Sequence, residues 1–208
     1  MSAHSEAFWR QYHATTARRP VREHLRRALD FVATDAARPR TAVDIGFGAG
    51  VEALYLLDQG WQLFGVDPSR SAARTLRAAM PADAACRATI RVAPIGKVRL
   101  PDADLIWAGL SLPFLAAEQI PTLWPAIVAS LRPGGVFAGD FFGRWHAWAG
   151  SSASFCLGLA DLRRLLRPLD LLSLTVERGA RFSASRELFH SEMFKVIVRR
   201  PPSSARRG

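Results

Sequence analysis

Three glycines and an aspartate in the first third of the chain have the types and spacing of a nucleoside-binding turn. The apolar residues 42–45 run into three closely spaced glycines, which are Gly46, Gly48 and Gly50. Residues 51–59 follow with helix formers and an apolar face. Glycine tolerates positive φ and lets a ligand lie against bare backbone, and the amides that open a helix point at whatever is bound. A second apolar stretch ends in Asp67, about 20 residues further on, where a carboxylate can accept both hydroxyls of a ribose. We therefore expect an adenosine nucleoside.

The spacing and charge of the turn indicate which adenosine compound fits. A dinucleotide fingerprint has the form G-x-G-x-x-G/A, and counting from Gly46 places Val51 at the third position. Asp44 stands two residues before the first glycine, where a carboxylate repels a pyrophosphate and attracts an ammonium or sulfonium. S-adenosylmethionine carries both cations and no phosphate. The residues favour this cofactor over two alternatives, another nucleotide and a tight turn that binds nothing.

Length and composition indicate one soluble domain. A chain of 208 residues that is 49% hydrophobic can bury one sizeable core. The first residues lack the apolar region of a secretion signal, and the uncharged apolar run at residues 105–117 is too short for a bilayer. The two cysteines, Cys86 and Cys156, match no zinc or redox spacing. We expect a cytoplasmic protein without a metal site or a membrane contact, either a monomer or a homodimer.

The formal charge of +10 raises the question of nucleic acid. The positive side chains are almost all arginines, since Lys97 and Lys195 are the only lysines. They are scattered, with concentrations at residues 18–27 and 199–208. Arginine spread over helix faces is more typical of a solvated surface than of a binding groove. We expect no specific nucleic acid partner, and a basic tail at residues 201–208 that is disordered because it has few apolar residues.

Hydrophobic periodicity predicts an α/β layer fold. Strands are expected at residues 42–45, 62–66, 89–93, 104–109, 136–142, 169–177 and 193–199. Helices are expected at residues 22–37, 51–59, 70–80 after a Ser69 cap, 118–131 and 159–166. Residues 94–103 are too short for a full crossover helix, and residues 179–186 suit a hairpin or a loop. The last two strands need no crossover helix, so the seventh should be antiparallel.

Five segments together resemble the class I S-adenosylmethionine-dependent methyltransferases, within them the small bacterial group similar to tellurite-resistance and thiopurine methyltransferases. They are YHATTARRPVR from Tyr12, VDIGFGAG from Val43, GWQLFGVDPS from Gly60, DLIWAGLSLPF from Asp104 and LRPGGVFAGDFFG from Leu131. The resemblance implies a Rossmann-like three-layer sandwich with a seven-stranded, mostly parallel sheet and an antiparallel seventh strand. It also implies a lid segment and helix start at residues 1–24, followed by one methyltransferase domain at residues 25–200.

The resemblance implies a set of cofactor-binding residues. They are Tyr12, Arg19, Asp44, Gly46, Phe47, Gly48, Gly50, Asp67, Pro68, Ser69 and Ala108. Asp44 and the glycines would line the methionine part, Asp67 would hold the ribose, and Pro68 would pack on adenine. Tyr12, Arg19 and Arg22 match a lid over the cofactor, with an arginine suited to its carboxylate. Residues 94–96 offer no acid to adenine where the family often has one. Asp44 as a turn former and Asp67 as a helix cap are the structural alternatives.

The implied reaction is a direct displacement at the methyl carbon, which needs alignment and exclusion of water more than a nucleophilic side chain. A general base is needed only if the acceptor must lose a proton, and the candidates are His13, Asp140, His146 and Tyr12. An aromatic lip for a small, flat, apolar or cationic acceptor is expected from Trp107, Phe114, Trp145 and Trp148, with packing in the core as the alternative for Trp107.

Two other functions are open to these residues. An RNA methyltransferase would use the basic charge, although the fourth strand ends in WAGLSLPF and lacks an N-P-P-Y type motif. A cofactor-binding protein repurposed for another reaction, such as a cyclisation, would suit Phe47, where cysteine is frequent in the family, and Trp107, where asparagine is frequent in the subgroup.

Overall fold

Eight strands and seven helices make up the regular structure of the computed structural model, which describes residues 6–33, 38–151, 154–182 and 187–202. The strands are Thr41–Ile45 (β1), Gln62–Asp67 (β2), Ala88–Val92 (β3), Ala103–Ala108 (β4), Leu131–Gly143 (β5), Cys156–Leu157 (β6), Asp170–Phe182 (β7) and Leu188–Arg199 (β8). The helices are Glu6–Thr16 (α1), Glu23–Leu29 (α2), Val51–Asp58 (α3), Arg70–Ala79 (α4), Ala82–Ala85 (α5), Ile120–Ser130 (α6) and Leu159–Leu166 (α7). Three-residue 3-10 turns lie at Ile95–Lys97, Leu112–Phe114 and Ala117–Gln119.

The strands form one sheet in the order β3-β2-β1-β4-β5-β8-β7, with the short β6 paired to the end of β5. Strands β1 to β5 are mutually parallel, and β8 runs antiparallel to both β5 and β7. The predicted α/β class and the antiparallel last strand are therefore confirmed. Because the parallel strands all end at one edge, the glycine turn after β1, Asp67 at the end of β2 and the residues after β4 meet there.

Alternate residues of the strands face two separate cores. On one face Ala42 and Leu105 pack with apolar side chains of α2, α3 and α4. On the other face Val43 and Ile106 pack with side chains of α6 and α7. This alternation follows from the two-residue period of a strand, and it makes the predicted three-layer sandwich.

Several predicted boundaries were wrong. The first long helix was expected over residues 22–37, but α2 ends at Leu29 and the chain continues in tight turns, with Val32 N–H bonded to the Leu29 carbonyl. Residues 34–37 lie outside the described residues. Helix α1 lies in the segment for which only a lid was predicted, so this helix was missed. The two-residue β6 was missed, because so short a strand has no periodicity.

The second half of the chain shows similar differences. The helix expected over residues 118–131 starts as a 3-10 turn and becomes α6 at Ile120, with Pro125 inside it. Strand β5 begins at Leu131 rather than residue 136, because a register shift against β4 takes up the proline and glycines. Strand β7 continues to Phe182, so part of the predicted hairpin or loop at 179–186 is strand, while residues 183–186 lie outside the described residues. Most of the predicted disordered tail, residues 203–208, lies outside them too.

No helix in the described ranges has the length and apolar character that a membrane span requires. No three His, Cys, Asp or Glu side chains in them are grouped as metal ligands.

Candidate functional site

The turn after β1 brings bare backbone to the carboxyl edge of the sheet. Gly46, Gly48 and Gly50 have φ values of 74°, 51° and 81°, a region that side chains rarely adopt. A Cβ atom on Gly46 would lie 2.5 Å from the Cβ of Ser111, so that side chain from the loop after β4 already fills the space. Only glycine allows the two loops to approach this closely.

A cavity of about 510 Å³ opens beside this turn. Its walls come from the turns after β1, β2, β3 and β4 and from α1. The lining residues are Glu6, Trp9, His13, Ile45, Gly46, Val66, Asp67, Pro68, Ser69, Arg70, Pro94, Ile95, Leu110, Ser111, Phe114, Leu115 and Gln119. Of the predicted cofactor residues, Gly46, Asp67, Pro68 and Ser69 are among them, and so is the predicted base His13.

Asp67 accepts hydrogen bonds from the turn after β1 and from the turn after β2. Its Oδ2 accepts the Gly48 N–H at 2.9 Å and its Oδ1 accepts the Ser69 N–H at 2.8 Å. Burial raises the pKa of Asp67, while the two backbone donors and the nearby His13 oppose that rise. A carboxylate oxygen has a second lone pair, so each oxygen can also accept a ribose hydroxyl.

Three buried polar atoms around the turn have no hydrogen-bond partner among the described residues. They are Asp44 Oδ2, His13 Nδ1 and Ser111 Oγ. Asp44 is only 1% exposed, and its pKa is raised well above the usual range, first by burial and then by Glu52 and Asp67. Buried polar groups normally find partners. A cation and a polar ligand beside the turn would supply them, so these residues fit the ammonium end of S-adenosylmethionine.

Helix α1 covers the cavity with one of its faces. Glu6, Trp9 and His13 recur at helical spacing and all line the cavity. The His13 ring lies over Gly48, where a Cβ atom would be 3.2 Å from Nε2. The Trp9 ring meets Phe114 edge to face with centroids 4.9 Å apart. No residue of α1 is buried, so this helix rests on the site without belonging to the core.

The two arginines predicted to serve the lid contact a side chain of the protein. Both Arg19 terminal nitrogens lie 2.5 Å from the oxygens of Glu52, and the Arg22 N–H bonds to the same carboxylate at 3.2 Å. Glu52 is buried in the first turn of α3. Tyr12 packs edge to face on Trp9 but does not line the cavity.

The remaining cofactor candidates lie close to the turn without lining the cavity. Phe47 is buried against Gly65. Gly50 has left-handed backbone at the start of α3. Ala108 is buried at the end of β4.

The aromatic candidates divide into two groups. Phe114 lines the cavity, and Trp148 lies against it with ring centroids 5.7 Å apart. Trp145 is 71% exposed. Trp107 is buried in β4 on the face away from the cavity and packs edge to face on His24 at 5.6 Å, which is the core position described as its alternative.

Asp140 and His146 are both buried and engaged by the protein. Asp140 Oδ2 accepts the Leu110 N–H at 3.0 Å. His146 stacks on Phe142 with ring centroids 3.9 Å apart, and its Nδ1 accepts the Trp148 N–H at 3.2 Å. Neither side chain lines the cavity, so His13 is the candidate base that the fold brings to it.

Sequence reasoning missed four residues of this region, which are Trp9, Glu52, Ser111 and Gln119. Trp9 and His13 had a detectable signal, since they share one helical face. Gln119 lines the cavity opposite the turn after β3, where the sequence offers no acid, and its Oε1 accepts the Ala116 N–H at 3.1 Å. No local pattern marks Glu52, Ser111 or Gln119, because their roles depend on loops from distant parts of the chain.

His146 should make the fold sensitive to acid. Burial lowers its pKa from 6.5 to about 4, and His190 adds to the shift while Glu192 opposes it. Between these two pKa values the unfolded chain binds more protons, so the free energy of unfolding falls as pH decreases. The expected loss from pH 7 to pH 5 is about 2 kcal/mol. Urea denaturation at both pH values measures it. His146→Asn, whose side-chain oxygen can still accept from Trp148, should lose less, and an equal loss would contradict the assignment.

Comparison with known proteins agrees with the geometry. Residues 42–135 match the family model described as a methyltransferase domain. A search of curated protein sequences found no significant match. Among solved structures, TehB from Haemophilus influenzae superposes with a TM-score of 0.70 and 14% identity over 86% of this chain and 62% of that one. This chain thus spans less than two thirds of TehB.

Two further structures cover both chains more evenly. The N-methyltransferase NodS from Bradyrhizobium japonicum WM9 gives a TM-score of 0.63 at 18% identity, over 94% of this chain and 97% of that chain. The 1,6-didemethyltoxoflavin-N1-methyltransferase from Burkholderia thailandensis was solved with bound 1,6-didemethyltoxoflavin and S-adenosylhomocysteine. It gives a TM-score of 0.59 at 19% identity, over 86% of this chain and 79% of that chain. At such identities the likeness establishes the Rossmann-like fold.

Proposed function

We propose that the chain is an enzyme that uses S-adenosylmethionine as its cofactor and methylates a small-molecule acceptor by direct displacement. The match of residues 42–135 to a methyltransferase domain supports this class of reaction. The observation that carries the proposal is the cavity at the glycine turn, with Asp67 in its wall and three polar atoms around the turn that have no partner among the described residues. A volume of about 510 Å³ is in the range of small-molecule sites. With the cofactor inside, it leaves room for a small acceptor only.

The aromatic surroundings support the same class of acceptor. Trp9, Phe114 and Trp148 form one contiguous aromatic group at the cavity. The toxoflavin enzyme, which has a similar fold, was solved with bound 1,6-didemethyltoxoflavin. The SLPF and FFG segments favour the tellurite-resistance and thiopurine methyltransferase subgroup within this class.

Each part of the site has a proposed task. When bound, S-adenosylmethionine supplies a methyl group on a sulfonium. Gly46 and Gly48 offer backbone against its methionine part, and Asp44 and Ser111 give polar partners to the ammonium. Asp67 accepts the ribose hydroxyls, and Pro68 and Ile95 give adenine an apolar surface. Helix α1 excludes water, which favours displacement by the acceptor.

His13 is the proposed general base where an acceptor must lose a proton. Burial lowers the pKa of its imidazole, with Asp67 opposing, so the ring is neutral at pH 7 and can accept a proton. Its buried Nδ1 has no partner among the described residues. Two other candidates already accept hydrogen bonds from the backbone: Asp140 from the Leu110 N–H, and His146 from the Trp148 N–H.

The test of the function is release of S-adenosylhomocysteine from S-adenosylmethionine, measured with a fractionated pool of small metabolites and separately with total RNA. We expect release only with a metabolite fraction. Release that requires RNA would replace the proposal with the nucleic-acid alternative. Consumption of the cofactor without a methylated product would favour the repurposed one.

Asp67→Ala should weaken binding of S-adenosylhomocysteine by roughly 1.5 to 3 kcal/mol, because charge-assisted hydrogen bonds to the ribose are lost. Isothermal calorimetry measures it against a wild-type Kd that we expect to be micromolar. Asp58→Ala is the matched control, since Asp58 is an exposed aspartate at the end of the neighbouring α3, and its Kd should equal that of the wild type. Wild-type binding of NADH in preference to S-adenosylhomocysteine, or tight binding by Asp67→Ala, would contradict the assignment.

A further inference from the structure

Leu110 is the one non-glycine residue with positive φ in the part of the chain that the structure describes, and it lies in the wall of the cavity. Its φ is 52°. A leucine adopts this left-handed conformation only when its surroundings impose it. The next residue, Ser111, places its Cβ against Gly46. The backbone at Leu110 therefore sets the shape of the cofactor site.

Two features hold the backbone around Leu110 in place. Asp140, 1% exposed on β5, accepts the Leu110 N–H through Oδ2 at 3.0 Å. The Trp107 indole fills the space beside Gly109, where a Cβ atom would lie 2.3 Å from the ring. Gly109 allows the close approach of the ring, and the Asp140 carboxylate fixes the direction of the following amide.

The other oxygen of Asp140 faces a buried histidine. His24 Nδ1 lies 3.4 Å from Asp140 Oδ1, and both side chains are almost fully buried. His24 Nε2 lies 3.0 Å from the Val196 carbonyl oxygen, which can only accept, so Nε2 carries a proton. The imidazole is thus fixed by β8 on one side and by the Trp107 ring, which it meets edge to face. This leaves Nδ1 directed at the carboxylate, where a proton shared between Nδ1 and Oδ1 would make the contact attractive.

We propose that Asp140 and His24 are positioning residues of the cofactor site. Their buried pair holds Leu110 in its left-handed conformation and so keeps Ser111 against the glycine turn. The inference rests on the proposed function, and it gives Asp140 a role different from general base. Asp140 acts through a backbone N–H and touches neither cofactor nor acceptor.

The test is a double-mutant cycle on the whole chain, with S-adenosylhomocysteine as the calorimetric probe. Without the Asp140 carboxylate to accept its N–H, Leu110 should spend most of its time outside the left-handed region. If one tenth of the molecules keep the conformation that binds the probe, the Kd rises about tenfold. We expect this tenfold increase for Asp140→Ala. Leu110→Gly removes the conformational penalty. The Kd of the Asp140→Ala, Leu110→Gly double variant should therefore lie within about threefold of the Kd of Leu110→Gly alone. Equal effects of Asp140→Ala in the two backgrounds would overturn the proposal.

Two further variants separate positioning from general destabilisation. Asp140→Asn keeps an oxygen for the Leu110 N–H and an amide for His24 Nδ1, so its Kd should stay within about threefold of the wild type. This result holds even if Asp140→Ala fails to fold, and a tenfold loss by Asp140→Asn would also overturn the proposal. His24→Leu should raise Kd by about threefold, and an unchanged Kd would remove His24 from the pair.

The matched control is Asp104→Ala. Asp104 is a buried aspartate at the opposite end of β4, bonded to Arg38, Arg132 and the Thr41 N–H. Its loss should lower thermal stability and leave the Kd for S-adenosylhomocysteine unchanged. Wild-type protein that fails to bind the probe would contradict the proposed function itself, whereas wild-type binding with unaffected Asp140→Ala would contradict only the positioning role.

Discussion

Replacing Gly46 by alanine should raise the Kd for S-adenosylhomocysteine by about 300-fold, the middle of a range from about 30-fold to about 4,000-fold. A side chain at its φ of 74° costs about 1–2 kcal/mol, and the new Cβ would meet the Ser111 Cβ at 2.5 Å, an overpacking that costs about 1–3 kcal/mol more. The altered turn relaxes by moving away from Ser111. Binding must restore the original geometry, so both costs appear in the Kd. Isothermal calorimetry measures the Kd, in which each tenfold change corresponds to about 1.4 kcal/mol of binding free energy.

Gly60→Ala provides the matched control for this effect. Gly60 has nearly the same backbone, with a φ of 79°, but a Cβ atom there would meet no atom within 4 Å. This variant should lose stability to urea and keep the wild-type Kd. A Gly46→Ala, Ser111→Gly double variant should recover part of the binding. If Gly46→Ala binds as tightly as Gly60→Ala, the close approach of the two loops plays no part in the site.

Removing residues 1–17 should abolish release of S-adenosylhomocysteine with an active metabolite fraction and weaken cofactor binding at least tenfold. Helix α1 supplies Trp9 and His13 to the cavity but no buried residue to the core. The deletion keeps Arg19 and Arg22 on Glu52. Thermal unfolding should therefore change little while the site opens to water.

Point variants on the two faces of α1 supply the control for this deletion. Trp9→Ala should reproduce most of the loss, because Trp9 lines the cavity and contacts Phe114. Gln11→Ala, on an exposed position of the same helix, should behave as the wild type. A truncated protein that unfolds would make α1 a structural element, and one with full activity would make it dispensable.

The positions of most strands along the chain could be predicted because each of these strands leaves a local pattern. Apolar runs such as residues 104–109 recur with the spacing of βα units, and residues 179–186 suit a hairpin or a loop between the last two strands, so these need no crossover helix. Likewise the glycine turn and Asp67 are predictable because their function depends on residues adjacent in sequence. These signals depend on side-chain types within one turn or strand.

Long-range pairs could not be predicted in the same way. Arg19 was expected to meet a ligand, yet it meets Glu52, whose place on the inner face of α3 follows only from how that helix packs. His24 gives no signal, since its partners lie on β5 and β8 more than 100 residues away. Trp107 was expected at the lip and lies in the core, because a strand buried on both faces has no alternation that tells which side a residue faces.

The place of β8 has a consequence for the order in which the protein can mature during synthesis. β8 is made after β7 but lies between β5 and β7. It also provides the Val196 carbonyl that fixes His24. Until residue 199 has left the ribosome, the edge of β5 that pairs with β8 in the finished sheet has no partner. His24 then lacks the Val196 carbonyl that fixes its ring against Asp140. A nascent chain lacking β8 should therefore gain cofactor affinity only after residue 199 has left the ribosome.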